Sequence, residues 1–100
     1  MLNSSENNID AETVKTLGLK LTNEPINAAT ALSARVFEYP HLENVYIMES
    51  DLYGNVMPKG SCFIAFPGIH GWIGKHLKIE TIKNASVEDI KKIVESNAEG

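Results

Sequence analysis

The residues with the most chemical potential stand together in Gly68-Ile69-His70-Gly71-Trp72-Ile73-Gly74-Lys75-His76. Glycine recurs at every third position, beside two imidazoles, an ammonium and the only tryptophan of the chain. A glycine-rich loop after a strand can turn backbone N–H groups toward a phosphate, and Lys75 would add charge. The glycine-Lys-Ser/Thr spacing of a Walker loop is absent, however. The plainer reading is a tight loop between two strands. In that loop Trp72 is either a lid folded over the core or an exposed anchor for a partner.

Three other groups could do chemistry. His70 and His76, with His41 and Glu43, count as metal ligands by type, but a spacing of six is not that of a helix pair. No metal is expected. Cys62 with a histidine would make a nucleophile and base. The thiol sits inside the apolar run Ser61–Phe66, where burial raises its pKa and leaves it inert. Glu49 and Asp51 alternate at the lip of a hairpin, and Glu38 stands near Tyr39 and His41. General acid–base work needs a cleft as well as two carboxylates, and 100 residues leave little room for one. These acids read instead as a solvated face that can steer association with a basic partner. No catalytic residue and no cofactor are expected.

The elements that must position these groups follow from spacing. Residues 1–8 are polar and aperiodic and read as a flexible tail, with 9–100 as one globular domain. Asp10 can cap a helix over Ala11–Leu17, Ile9 and Val14 have the spacing of a hydrophobic staple, and Gly18 ends the element. A second helix is expected from Asn23, with Pro25 in its first turn and Ile26, Ala29, Leu32 and Val36 on one face, running to about Glu38. Val45–Met48 and Ser61–Phe66 read as strands, and Leu77–Thr81 alternates like a third. Ser86 with Asp89 opens a last helix carrying Val87, Ile90, Ile93 and Val94. The expectation is therefore an α+β fold of order α-α-β-β-β-α, a small antiparallel sheet of about three strands with helices packed on it. The two central strands are apolar on both faces, so both faces need cover. Helices on one face only would leave the other for a partner or a homodimer.

Composition bounds the function. The chain has 100 residues, 43% of them apolar and 22% charged, which excludes collagen-like and wholly disordered classes. One cysteine excludes an internal disulfide framework. No run approaches the ~18 apolar residues of a membrane span, and the first eight residues lack the pattern of a secretory signal. A cytoplasmic setting is the expectation. The net charge of −4 argues against a dedicated nucleic-acid binder. Residues 1–58 set three cations against eight acids, whereas residues 59–83 set four lysines against Glu80.

These features point to a non-enzymatic protein-binding module, an inhibitor or neutraliser of another macromolecule such as a basic toxin or nuclease. Glu49, Asp51, Tyr53, His70, Trp72 and Lys75 are the expected partner-binding residues. The alternative is a nucleic-acid or nucleotide-binding module that uses the basic Gly/Trp segment 59–83.

Overall fold

The computed structural model describes residues 8–22, 26 and 35–97. Helix α1 covers Ala11–Leu17, and five strands follow: β1 Lys20–Leu21, β2 Val36–Glu38, β3 Tyr46–Met48, β4 Ser61–Gly68 and β5 Gly71–Lys78. Helices α2, Ile79–Lys83, and α3, Val87–Asn97, close the order. The strands form one antiparallel sheet in the order β1-β2-β3-β4-β5, each pairing with the next.

Five strands replace the expected three, and the order α-α-β-β-β-α is corrected accordingly. The helix expected from Asn23 to Glu38 gives way to β2 at its end, while 23–25 and 27–34 lie outside the described residues. Val36 and Phe37 explain the change. They face opposite sides of the sheet and both are buried, Val36 against Met48 and Ala65, Phe37 in the main core. A helix would place neither pairing. The third strand is also moved: Leu77 and Lys78 finish β5, and the chain then turns helical so that Ile79 and Ile82, three apart, reach the core.

Where local chemistry is strong, sequence and structure agree. Asp10 accepts the Thr13 N–H and hydroxyl at 2.8 Å each, and Gly18 at φ 67° closes α1. Ser86 and Asp89 exchange hydrogen bonds at 3.1 Å in a reciprocal capping box. Asn8, read from the sequence as the end of the tail, is held by the fold, while 1–7 lie outside the described residues. Asn8 is clamped to the turn before β4, with its amide nitrogen near the carbonyls of Met57, Pro58 and Ser61 and its oxygen accepting the Gly60 N–H.

The three described helices pack on one face of the sheet, around Phe37, Ile47, Cys62, Ile64 and Phe66. The other face has a smaller buried cluster of Val36, Met48 and Ala65, against which Ile26, Tyr46, Leu52 and Phe63 lean. Among the described residues cover on this second face is therefore partial, and it thins toward β5. Among the described residues no helix is long and apolar enough to cross a membrane.

Ile64 is fully buried between Ile47 on β3 and β5. Ile64→Ala should cost roughly 2–4 kcal/mol through lost burial and a residual cavity. A denaturant midpoint corresponding to less than about 1 kcal/mol would mean the site collapses around the smaller residue.

Candidate functional site

The glycine-rich segment is not a loop. Gly68 pairs with Gly71, Pro67 with Trp72 and so on to Ser61 with Lys78, so β4 and β5 form a hairpin whose turn is only Ile69 and His70. The period of three in glycine concealed a strand of period two.

Pairing places Trp72, Gly74, His76 and Lys78 on the partly covered face, with Ile73, Lys75 and Leu77 on the helix-bearing face. Gly74 is required by close approach: a Cβ there would fall 1.9 Å from the Phe63 ring. The aromatic ring thus fills the space that the edge glycine leaves. Trp72 is 41% exposed and meets Tyr46 edge-on, with ring centroids 5.6 Å apart at 69°. It is neither a loop residue nor a core lid. Ile69 at the turn is 68% exposed, and His70 and Lys75 are also exposed.

The six expected partner-binding residues fall into two groups. His70, Trp72 and Lys75 belong to the hairpin and its outer strand. Glu49, Asp51 and Tyr53 follow β3, which runs antiparallel to β4 and leaves the sheet beside the start of β4. Pro67 and Phe63 are four strand residues apart, so the groups are separated by more than ~13 Å along the sheet.

Glu49 is withdrawn from the surface at 7% exposure. Its two oxygens accept Arg35 Nε and Nη2, both at 2.8 Å, and Oε2 also accepts the Ile9 N–H at 2.9 Å. Arg35 in turn donates to the Ile9 carbonyl at 2.6 Å and lies 5.1 Å from the Phe37 ring centre. The hydrogen-bonded Glu49 carboxylate holds the guanidinium pKa above its ordinary value, against the opposing effect of burial. Glu49 is a structural tie, and the expectation of a steering charge is corrected there.

Asp51 organises its own turn by accepting the N–H groups of Tyr53 and Asn55 and the Asn55 side chain. Burial pushes its carboxyl pKa up, but these hydrogen bonds together hold it below the ordinary value. Tyr53 is 83% exposed on that turn.

The other chemical candidates separate in space. His70 and His76 are six residues apart along an extended strand, about 20 Å, too far to share an ion. Among the described residues no three of His, Cys, Asp and Glu gather as metal ligands. Cys62 is buried, and desolvation with the nearby Glu49 charge pushes its thiol up to about 12. A hollow lined by Gly60, Ile79, Glu80, Lys83 and Asn84 is open to solvent, and its Lys83 is paired with Glu12 at 3.3 Å.

The sequence reading placed Ile69, His76 and Lys78 in a basic segment but not in a β-hairpin, and it did not bring Tyr46 of β3 against Trp72. The available signal was Gly68-x-x-Gly71, two residues between glycines with apolar alternation on both sides. No protein-family model, curated protein or solved structure matches the chain.

Glu49→Gln should destabilise the fold by about 2 kcal/mol, since a partly exposed arginine loses its charged partner. A thermal melt equal to wild type would free Glu49 for a surface role. Cys62 should react with a thiol reagent at neutral pH only as fast as the protein opens. Complete labelling within seconds under native conditions would contradict its burial.

Proposed function

We propose that this chain is a small non-enzymatic protein-binding module, of the inhibitor or neutraliser kind, that docks through the tip and outer strand of the β4–β5 hairpin. The observation that carries this reading is Trp72. Half exposed and braced edge-on by Tyr46, it offers a large rigid apolar surface beside the exposed Ile69. A tryptophan fixed before binding loses little freedom on binding, which is why such residues dominate interface energies. Tyr53, at the opposite end of β4, lies outside this surface.

Charge refines the partner. No Asp or Glu lies between Asp51 and Glu80, a stretch that contains the entire hairpin. Lys75 and Lys78 therefore stand without an acid on their own strand. The acids of the sequence call for a basic toxin or nuclease, but Glu49 is internally paired and Asp51 lies at the other end of β4. The hairpin itself calls instead for an acidic patch on its target.

A second reading draws on the same strand. Trp72 could stack a base of a single-stranded nucleic acid while Lys75 and Lys78 meet its phosphates. Salt separates the two, because phosphate contacts weaken steeply with ionic strength.

The test is affinity purification from the native cell with wild type and Trp72→Ala as paired baits. A specific protein should be retained by wild type and lost by the variant, corresponding to more than ~2 kcal/mol, while the variant melts like wild type. Equal retention by both baits would overturn the assignment to the hairpin. Nuclease-sensitive, strongly salt-dependent capture would transfer it to the second reading.

A further inference from the structure

The outer edge of β5 has a definite pattern of free backbone groups. Antiparallel pairs alternate between hydrogen-bonded and non-hydrogen-bonded types. Pro67 has no N–H to give, so its pair with Trp72 is the non-hydrogen-bonded type. The alternation then turns the N–H and C=O groups of Trp72, Gly74, His76 and Lys78 away from β4. Among the described residues β5 is the last strand of the sheet, so no strand receives them.

An edge eight residues long is unusual to leave open, since it is a template for another chain. The opposite edge, β1, is only two residues long. The charged side chains around the open edge are the cations Lys75 and Lys78, with no acid among them. Two copies of this strand would bring those charges together, which disfavours self-pairing. An acidic strand would find them complementary.

We propose that the outer edge of β5 receives an extended acidic segment of a partner protein as a sixth strand, with Trp72 packing on its side chains. This rests on the protein-binding reading above and names its mode, β-strand addition. Main-chain hydrogen bonds would supply the register, and Lys75 and Lys78 the selection for acidic sequence.

The probe is an acetylated, amidated hexapeptide of alternating Glu and Val, with its Lys-Val counterpart as control. Amide hydrogen exchange is followed by NMR on the full chain. The Glu-Val peptide should slow exchange at Trp72, Gly74, His76 and Lys78 by about tenfold or more. The alternate amides of Ile73, Lys75 and Leu77 should be protected before it is added. Lys75→Glu with Lys78→Glu, both exposed positions, should reverse the preference toward the Lys-Val peptide.

No added protection at those four amides by millimolar Glu-Val peptide would overturn the proposal. So would equal protection by both peptides, or protection that rises with protein concentration alone and assigns the edge to a second copy. Retention of a cellular partner that needs Trp72, without protection of the edge amides in that complex, would sink strand addition and leave the protein-binding reading standing. Protection of the edge in a complex that Trp72→Ala leaves intact would remove Trp72 from the proposed anchor.

Discussion

The Arg35–Glu49 pair ties together three segments remote in sequence. Arg35 leads into β2, Glu49 leaves β3, and Ile9 lies just before α1. The guanidinium fork meets both carboxylate oxygens and one carbonyl, and the carboxylate takes the amide of the same Ile9. A main-chain bond from the Glu49 N–H to the Arg35 carbonyl extends the β2–β3 ladder at the same place. Lysine could not substitute, since one ammonium cannot present two parallel donors to a carboxylate and a third to a carbonyl. It is the only arginine in the chain.

This tie determines how the two faces differ. With Ile9 fixed, α1 is directed onto the helix-bearing face, where Leu17 and Val14 join a core completed by Ile82 and Ile90. Lys83 to Glu12 then links α2 to α1 at the periphery. Among the described residues the second face depends on the small cluster around Met48 and Ala65, which reaches Trp72 only through the Tyr46 ring. Polarity of exposure therefore follows from packing rather than from composition. Among the exposed large apolar groups, Ile69 and Trp72 stand at the β4–β5 turn and Tyr53 on the Asp51–Asn55 turn, at opposite ends of β4.

Sequence carried the parts of the fold that rest on local chemistry. Asp10, Gly18, Ser86 and Asp89 satisfy helix ends through neighbours three or four residues away, so their spacing is sufficient information. The run from Ser61 to Phe66 was legible for a similar reason, being apolar on both faces of a central strand. Val36–Glu38 was not legible, because three residues cannot display a period and their partners Lys20–Leu21 and Tyr46–Met48 are remote. Glycine at 68, 71 and 74 suggested a loop, whereas Gly74 serves only to admit the Phe63 ring across the strand. Glu49 illustrates the limit for site residues. Its polar character implied exposure, and only the position of Arg35 and Ile9 shows the carboxylate to be internally matched.

The simple meander of the sheet governs the order in which the chain can assemble. Each strand needs only its successor, and the two-residue turn between β4 and β5 closes at minimal entropic cost. Assembly can propagate from that hairpin back through β3 and β2 by successive short closures. The contacts of Asn8 and Ile9 are of another kind, reaching across 26 to 53 residues. They gain nothing until the ladder they grip exists, so the segment before α1 is a late-closing strap. Mechanical tension applied at the amino end would meet that strap first and the β4–β5 ladder last.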